Sequence, residues 1–428
     1  MWLLRQYTVI TLLLAGLGGQ SLMNGFGAGF TRTTGDATAL GISSSGLLPA
    51  YQTDVSLNNP STWQDLRFTL LSGMYGGRRY ELRDLNIKNE MSDLNLVRLI
   101  VPIKKKYSIG FGLYPFIDRQ IKLRQEVPDF VIDRDTLALE KQFIGTGGVN
   151  VFDASVGILV TEYETIALNL SYLFGSARQA NILTIDDVDY RFNQRHVYTG
   201  TLANLYLRSK RFSFKARPTS LFLKFGMPIK SLTISSYSYQ PFEDNNGSGY
   251  HDREVTSFLT DFPDPTGTPG PVKSRYQDQY NPYEIGMGTD LEFRPRMHIL
   301  AEFNFRKDNA EIAKLPALLN DQVQIRNQVN IGFVKFPAKV TRNFLDHGIF
   351  RFGLYYKSYQ MKNSAQPINE NGLSLGFGFK FGITNNQIDI GYLLGRRQGF
   401  GNIGDESVQQ YTVGISIGDI WFVKRRER

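Results

Sequence analysis

The sequence lacks cysteine and has only four histidines among its 428 residues. Without cysteine there is no disulfide framework and no thiolate metal site. The histidines stand alone, with no second histidine or carboxylate at ligand spacing, so the sequence predicts no metal site and no cofactor. They are His196, His251, His298 and His347. Long apolar runs are also missing after the first twenty or so residues, which excludes a bundle of membrane helices.

The one long apolar run opens the chain. Arg5 precedes apolar residues from Val9 to Leu17, and Gly18 and Gly19 stand where a signal peptidase cuts. Such a run is too short to span a bilayer and is typical of a secretory signal peptide. We predict a signal peptide in residues 1–22, with cleavage between residues 19 and 24. A buried N-terminal helix is the alternative.

The net charge of +8 does not by itself indicate nucleic acid, because the basic residues are scattered. The densest basic runs, 104–106 and 424–426, flank segments with a strand pattern. We therefore predict turn and terminal residues at these runs and not a phosphate-binding face. No nucleic-acid partner is expected.

The stretch 372–382, GLSLGFGFKFG, alternates large apolar residues with small or polar ones. Leu373 and Leu375 share one face with the residues that follow at the same spacing, and Ser374 lies on the other, which predicts a strand with one apolar face. The stretch also begins with G-x-S-x-G, the nucleophile-elbow motif of serine esterases. That elbow requires a turn from a strand into a helix, whereas this segment stays extended. The motif recurs at 414–418 in another alternating run, so both copies are predicted to result from strand alternation.

Similar runs of about nine to eleven residues recur along the chain, the length that crosses a bilayer as a tilted strand. Tight turns and long polar connections alternate between them, as periplasmic turns and external loops do in an outer-membrane barrel. We predict an all-β fold, a transmembrane antiparallel β-barrel of about fourteen strands over residues 66–423. The predicted strands are 66–76, 93–103, 107–117, 151–161, 165–175, 197–208, 219–240, 284–293, 297–307, 324–336, 348–361, 372–382, 387–396 and 410–422. The predicted external loops are 77–92, 118–150, 176–197, 241–283, 308–323 and 397–409.

Two places fit this strand count poorly. The segment 209–218 is long for a periplasmic turn, and the predicted strand 219–240 contains Pro228. Proline cannot donate to a barrel ladder. Pro228 therefore predicts a bulge or kink, or else the count is wrong there by two strands.

Charged residues of both signs alternate with the apolar ones and are predicted to face the lumen. They are Lys224, Asp290, Glu292, Glu302, Arg306, Arg351, Lys357, Lys380 and Asp389. The mixed signs exclude an ion filter of one sign. Two interpretations stay open: a cross-strand network of ion pairs that stiffens the barrel around a plug, and a site in which Arg351, Lys357 or Lys380 meets the carboxylate of an amphipathic ligand.

The segment before the first strand, residues 25–65, is glycine-rich and not amphipathic. A barrel of about fourteen strands has a lumen wide enough to hold it. The segment ends in Asn59-Pro60-Ser61 shortly before the first strand. This layout resembles the FadL/TodX long-chain fatty acid transport family of outer-membrane barrels, with Ser61 where the family usually has alanine. The C-terminal stretches GLSLGFGFKFG, DIGYLLGRRQG and ISIGDIWFVKR resemble FadL-related barrels of Bacteroidota-type bacteria.

The resemblance implies that residues 23–65 form a hatch that plugs the lumen, with Asn59, Pro60 and Ser61 as part of it. It implies a non-enzymatic protein of the Gram-negative outer membrane that binds and passively transports hydrophobic or amphipathic, fatty-acid-like molecules. We expect the ligand to sit in an apolar pocket between hatch and wall and, by the resemblance, to leave sideways through a strand kink.

The expected partners are a hydrophobic small molecule or lipid, the lipid of the outer membrane, and the barrel-assembly machinery during biogenesis. That machinery reads an aromatic-ended last strand in many outer-membrane proteins. Here Trp421 and Phe422 stand before a basic tail, residues 424–428, that is predicted to be periplasmic.

Two other functions stay open. The first is a protein-interaction or secretion-system component without small-molecule transport, like the FadL-related shuttle barrels of the type IX secretion system. The second is a hydrolase inside the barrel, which needs a serine and a histidine paired across neighbouring strands. Ser374 and His347 are its candidates.

Overall fold

A computed structural model describes residues 21–419, with gaps at 34, 83–86, 133–134, 162–163, 186–187, 210, 245–270, 312–320, 339–345, 365, 383–385 and 402–403. Several predictions lie outside the described residues: the signal peptide up to residue 20, His251, the pair Trp421 and Phe422, and the basic tail. In the described part of the chain, no helix is both long and apolar enough to cross a membrane.

The described residues form mostly β-strands. The strands are β1 (Phe30–Thr31), β2 (Thr69–Leu82), β3 (Ile87–Ile103), β4 (Tyr107–Asp118), β5 (Ile121–Ile132), β6 (Asp135–Leu159), β7 (Thr165–Ile185), β8 (Val188–Arg208), β9 (Phe212–Phe214), β10 (Arg217–Ser238), β11 (Phe242–Asp244), β12 (Val272–Tyr276), β13 (Pro282–Arg294), β14 (Met297–Asp308), β15 (Val323–Lys335), β16 (Gly348–Met361), β17 (Ile368–Phe381), β18 (Asn386–Gln398) and β19 (Glu406–Asp419). The helical elements are two 3₁₀-helices, η1 (Leu22–Gly25) and η2 (Pro60–Asp65), and one short α-helix, α1 (Ala37–Leu40).

Fourteen of these strands close into one antiparallel barrel. The order around the wall is β2, β3, β4, β6, β7, β8, β10, β13, β14, β15, β16, β17, β18 and β19, and β19 pairs back with β2. A closed ring satisfies the backbone hydrogen bonds of each strand through its neighbours, which a lipid environment demands. The predicted all-β class and the count of fourteen strands are confirmed.

The alternation seen in the sequence separates an outer from an inner face. In β17, Leu373 and Leu375 are 38% and 52% exposed, whereas Ser374 between them is buried. Outward apolar side chains are what the hydrocarbon core of a bilayer covers. Charged residues predicted to face the lumen, such as Glu302 and Asp389, are buried on the inner face.

Several strands extend further than predicted on the side of the long connections. β6 spans 25 residues and β7 spans 21, and the two are paired from Leu139–Ile185 to Leu159–Thr165. The prediction of loops at 118–150 and 176–197 was therefore wrong over most of both ranges. The ladder hydrogen bonds continue past the lipid-facing band, but side chains there need not be apolar, so the alternation ends before the strand does.

The region around Pro228 is one strand, β10, and not three. Its register against β8 shifts between Pro228 and Lys230 and again between Lys230 and Thr233. Since proline has no N–H to donate, the ladder loses a bond there and bulges. The predicted bulge is confirmed. The long turn before β10 contains a small hairpin in which β9 pairs with the start of β10.

The N-terminal segment, here residues 21–68, carries η1, β1, α1 and η2. Its apolar residues are buried together with inward-facing barrel residues. Ile42, Leu47 and Leu48, for example, share one buried cluster with Phe222 of β10 and Leu300 of β14. The interior of the barrel therefore has a packed core to which both the segment and the wall contribute.

Candidate functional site

The N-terminal segment contacts strands on two sides of the ring. α1 contacts β17, β18 and β19, and η2 contacts β3, β4, β6, β7 and β8 on the other side. Glycines on the inner face mark close approaches. A Cβ on Gly110 would lie 2.3 Å from Cζ3 of Trp63, and one on Gly353 would lie 2.4 Å from the backbone carbonyl carbon of Ile42. Both distances are below van der Waals contact, so these small residues make room for the segment.

Asn59, Pro60 and Ser61 start η2. The Asn59 side chain accepts hydrogen bonds from the backbone N–H of Ser61 at 3.0 Å and from its hydroxyl at 2.7 Å. The same side chain donates to the carbonyl of Leu47 at 2.8 Å. Pro60 occupies the first helical position, where no N–H is needed. The signature therefore caps the turn that leads into β2 and ties two parts of the segment together.

Arg351 and Asp389 form a fully buried ion pair beneath the segment. Nη1 of Arg351 lies 2.8 Å from Asp389, and Nε donates to the carbonyl of Ala50 at 2.8 Å. Gln387 donates to Asp389 at 2.8 Å and is within 3.2 Å of the carbonyl of Tyr51. Two barrel strands, β16 and β18, thus hold the backbone of the segment through charged and amide groups.

Glu302 of β14 binds the turn that follows α1. Its carboxylate accepts hydrogen bonds from the hydroxyls of Ser44 and Ser45 and from the backbone N–H of Ser45 at 3.1 Å. The hydroxyls of Ser43 and Ser374 are 2.7 Å apart in the same region. The side chain of Gln328 in β15 donates to the carbonyl of Ser43 at 3.3 Å. The serines of this turn therefore bind three strands of the wall, β14, β15 and β17.

Ser374 and His347 do not form a catalytic pair in this structure. Ser374 lies opposite Gly353, five positions along β16 from its start at Gly348. His347 is exposed in the turn just before that start. Six positions separate His347 from Gly353, so at the rise of a β-strand His347 and Ser374 are about 20 Å apart.

A second charged cluster holds the start of the segment. Arg397 of β18 lies 2.7 Å from Glu370 and also contacts Glu406 of β19. Glu406 accepts hydrogen bonds from the hydroxyl of Ser21 at 2.9 Å and from the backbone N–H of Leu22 at 3.0 Å. The first described residues are therefore fixed to the wall by a buried carboxylate.

The three cations predicted to bind a ligand have different surroundings. Arg351 is bound to Asp389, as described above. Lys357 lies 3.4 Å from Glu370 and 3.4 Å from the hydroxyl of Thr33. Lys380 is half-buried near the end of β17, and no carboxylate of the described residues lies within 4 Å of it. The first two match the ion-pair interpretation, and ligand binding by any of the three stays a prediction.

Sequence reasoning missed a histidine–carboxylate pair. Nδ1 of His298 is 2.7 Å from Asp290, and both side chains are buried. The two residues meet across the hairpin of β13 and β14, so only the strand register brings them together. Over the described ranges, no group of three or more potential ligands could hold a metal ion.

The barrel wall has a break between β3 and β4. Their ladder ends where Val97 faces Leu113, although both strands continue. Beyond that point β4 shifts register against β6 between Pro115 and Ile117. The edge of β4 that β3 leaves open pairs instead with β1 of the N-terminal segment. The segment thus supplies hydrogen bonds that the neighbouring strand does not.

Arg32, which follows β1, bridges the two sides of this break. It lies 2.6 Å from Asp118 at the end of β4 and also contacts Asp93 of β3. Arg78 of β2 lies 2.6 Å from Asp118 as well. Two arginines and two aspartates therefore close the break from the inside.

A cavity of about 120 Å³ lies beside the break. Leu96, Tyr114, Pro115 and Phe116 line it where β3 and β4 separate. Charged side chains also line it: Arg32, Arg98, Asp153, Lys224, Glu284, Arg306 and Arg326. The cavity therefore has both apolar and charged walls, and an apolar ligand pocket between hatch and wall stays a prediction.

Asp36 of the N-terminal segment caps α1. Its carboxylate accepts a hydrogen bond from the backbone N–H of Thr38 at 2.8 Å. Burial raises the pKa of Asp36 to about 6, even though the bonds from Thr38 favour the ionised form. The start of α1 therefore contains a carboxyl that changes charge in a mildly acidic range.

Comparisons with known proteins agree with this architecture. A Pseudomonas aeruginosa FadL homologue is similar in structure, with 12% sequence identity and a TM-score of 0.55 over 91% of this chain and 99% of that one. The monoaromatic hydrocarbon channel CymD is 12% identical, with a TM-score of 0.52 over 96% and 99%. A deletion mutant of the monoaromatic hydrocarbon channel TodX is 12% identical, with a TM-score of 0.52 over 94% and 100%. No curated protein matches the chain in sequence at a significant level.

At such low identity these likenesses establish the fold, which is that of the FadL-like outer-membrane barrels, as the resemblance in the sequence implied. The family model named BamG matches residues 6–427, nearly the whole chain. The protein therefore belongs to the BamG family, a family of outer-membrane proteins related to the FadL-like barrels.

Proposed function

We propose that this protein is a passive channel of the Gram-negative outer membrane that binds hydrophobic or amphipathic, fatty-acid-like molecules in its interior cavity. Residues 1–22 direct export, residues 23–65 act as the hatch, and residues 66–423 form the barrel. The observation that carries the proposal is the break between β3 and β4 beside the cavity. The shared fold of the FadL homologue and the hydrocarbon channels supports it.

The break gives an apolar solute a path that avoids water. A continuous ladder of backbone hydrogen bonds would force a solute to leave the cavity through an aqueous end. Where the ladder stops, Tyr114 and Phe116 of β4 and Leu96 of β3 line the cavity. Leu94, two residues before Leu96, is 51% exposed on the outside of the wall. An apolar solute that leaves the cavity here passes these apolar side chains on its way into the bilayer.

The hatch controls this path through β1. Only Phe30 and Thr31 pair with β4, and Arg32 adds a hydrogen bond from its backbone N–H to the carbonyl of Phe116 at 2.8 Å. Each such bond contributes about 0.5–1.5 kcal/mol net. Local opening of β1 therefore costs far less than unfolding of the barrel, and it is the step that we assign to release.

A removable covalent lock between β1 and β4 tests the proposal. Thr31 and Ile117 face each other in register, and the chain has no cysteine of its own, so the double variant Thr31→Cys/Ile117→Cys holds a single possible disulfide. The hydrogen bond at the next pair places Thr31–Ile117 at a non-hydrogen-bonded position, where the Cα atoms are close enough for a disulfide. We expect the oxidised protein to lose uptake of a fluorescent fatty acid into proteoliposomes and the reduced protein to regain it.

The matched control locks two strands that are already neighbours in the wall. Thr289 and Ala301 face each other across β13 and β14, so the variant Thr289→Cys/Ala301→Cys should transport equally well oxidised and reduced. Equal uptake by the oxidised and reduced β1–β4 lock would show that release does not use this break. Absence of uptake in the wild type would refute transport of this ligand class altogether.

A second candidate is a protein-interaction role in barrel assembly. The family name points to such a link, and the charged interior favours a segment that is held firmly in place. The channels reported above supply no secretion-system relative for the type IX alternative. Native mass spectrometry of the detergent-purified protein, with organic extraction of bound lipid, separates the two candidates. A copurified amphiphile that is lost when residues 25–58 are deleted supports the channel, and an empty barrel that retains a protein partner supports the second role.

A further inference from the structure

Two arginines face each other inside the barrel without enough negative charge around them. Arg306 of β14 and Arg326 of β15 are directly opposite in register, and both line the cavity. They are only 4% and 6% exposed. Like charges directly opposite each other on one sheet face repel, and buried charges are normally paired. This arrangement is therefore unfavourable unless something else neutralises it.

The nearby protein carboxylates do not neutralise the pair. Glu284, which faces Arg306 across β13 and β14, lies 2.9 Å from Lys224 and 3.7 Å from Arg326. This one carboxylate is therefore shared by two cations, Lys224 and Arg326. Asp308 is also close along the strand, but its Oδ1 accepts backbone N–H bonds from 281 and 310, at 2.8 Å and 3.0 Å. Among the described residues, no carboxylate lies within 4 Å of the Arg306 guanidinium.

Both guanidinium groups keep donors free. Arg306 makes its two hydrogen bonds with Nη1, to the hydroxyl of Thr31 at 2.5 Å and to that of Tyr280 at 3.1 Å. Arg326 donates from Nη2 to Asn304 at 3.3 Å, and its buried Nε has no partner in the described part of the chain. Planar guanidinium groups with free N–H donors match the oxygens of carboxylate or phosphate groups.

Aromatic rings complete the site. The Arg306 guanidinium lies 5.6 Å from the centre of the Tyr280 ring, and Phe116 packs edge-on against Tyr280 with ring centres 5.7 Å apart. Tyr206 of β8 also lines the cavity, with Lys224 6.0 Å from its ring centre. Such rings can pack against the body of a ligand whose charged end is held by the arginines.

We infer that the cavity contains a binding site for a compact organic anion, whose carboxylate or phosphate group binds Arg306 and Arg326 and whose body packs against the aromatic rings. This inference rests on the proposed function only in placing the ligand in the same cavity. The inferred site selects a ligand with an oxyanion, whereas the proposed function requires only a ligand with an apolar or amphipathic body.

Titration calorimetry on the full chain in detergent tests the inference with three probes that share one ring: benzoate, phenyl phosphate and the neutral benzyl alcohol. We expect at least one anion to bind at least tenfold more tightly than benzyl alcohol. Arg306→Gln and Arg326→Gln should each weaken anion binding at least tenfold and leave benzyl alcohol unchanged. The ratio of benzoate to phenyl phosphate affinity identifies which oxyanion the pair prefers.

The control variant is Arg396→Gln, which removes an arginine whose side chain is 66% exposed and paired with Asp405 outside the cavity. It should bind the anions like the wild type. The double variant Arg306→Gln/Arg326→Gln tests whether weaker binding results from misfolding. Because the repulsion is lost, the thermal midpoint of the ligand-free double variant should be at or above the wild-type value.

Each other outcome overturns the inference. Equal affinity for benzyl alcohol and the anions removes the oxyanion selectivity while the channel proposal stands. Anion binding that survives both substitutions places the site elsewhere. If no probe binds, or if the double variant has a lowered thermal midpoint, the arginines stabilise the fold and do not bind an anion. The channel proposal is tested separately, by the disulfide lock between β1 and β4.

Discussion

Replacing Arg351 with methionine is expected to release the N-terminal segment from the wall. The substitution removes a fully buried ion pair with Asp389 and a 2.8 Å hydrogen bond to the carbonyl of Ala50. It leaves Asp389 as a buried carboxylate with Gln387 as its remaining described partner. Breaking one side of a buried ion pair costs about 3–5 kcal/mol, and the lost bond to the backbone adds about 1 kcal/mol.

Thiol labelling can measure how much of this free-energy cost weakens docking of the N-terminal segment. Ala39 in α1 is 1% exposed, and a cysteine there would be the only one in the chain. If about 3 kcal/mol falls on docking of the segment, the open state gains more than about 100-fold, since 1.4 kcal/mol is a factor of ten. We therefore expect Ala39→Cys to be labelled more than about 100-fold faster when Arg351→Met is present.

Two further variants make this result interpretable. Arg396→Met removes an exposed pair with Asp405, for which we expect less than about 1 kcal/mol and little change in labelling. Removing both buried charges, in Arg351→Met/Asp389→Leu, should recover much of the slow labelling because no unpaired charge remains. Labelling of the Arg351→Met protein within threefold of the parent rate would refute the idea that this pair holds the segment.

Two other predictions concern the segment itself. Asn59→Ala should lower the free energy of unfolding of the segment by about 1–2 kcal/mol, because the cap of η2 and the bond to Leu47 are both lost; urea dependence of Ala39→Cys labelling measures this, and an unchanged midpoint would contradict it. Burial raises the pKa of Asp36 to about 6 from 3.8, so the folded segment binds this proton more tightly than the unfolded one, and docking should strengthen as the pH falls from about 6 to about 4. The ratio of labelling rates of the parent and Asp36→Asn proteins, taken at each pH, should fall over this range, and a ratio that is flat with pH would show that Asp36 does not titrate there.

The sequence predicted the barrel well because a barrel wall is a local pattern. Each strand shows its two faces at a period of two, and the alternation of tight turns with long connections sets the parity of the strand count. The same local pattern could not predict where the strands end. Above the lipid-facing band the ladder continues without apolar alternation, so β6 and β7 extend through ranges that were predicted as loops.

The faces of charged residues were predictable, but their partners were not. Arg351 was placed on the lumen face, yet its partner Asp389 lies two strands away, on β18. The two side chains meet across Gly378 of β17. A Cβ there would lie 2.5 Å from a carboxylate oxygen of Asp389 and 3.1 Å from Nη1 of Arg351. The presence of a glycine in an alternating run does not indicate which side chain crosses over it.

The position of the break in the wall was beyond sequence reasoning for a similar reason. β1 has two residues and no period, and it pairs with β4 more than eighty positions later. Nothing in residues 107–118 shows that β3 leaves the second half of this strand without a partner, because alternation reports burial and not the identity of a neighbouring strand. The register shift between Pro115 and Ile117 was equally invisible.

The contacts of the N-terminal segment are unequal, and this inequality limits how it can move. Near α1 the backbone at Ala50 and the turn after the helix are held by the buried groups of Arg351 and Glu302. At β1 the register comprises only two residue pairs. Arg32 adds ion pairs with Asp118 and Asp93, but Asp118 keeps Arg78 as a partner when Arg32 moves away. Backbone pairs of this kind cost little to open, whereas unpaired buried charges cost several kcal/mol. Motion of the segment should therefore begin at the edge of β4, where the cavity meets the break, and leave α1 in place.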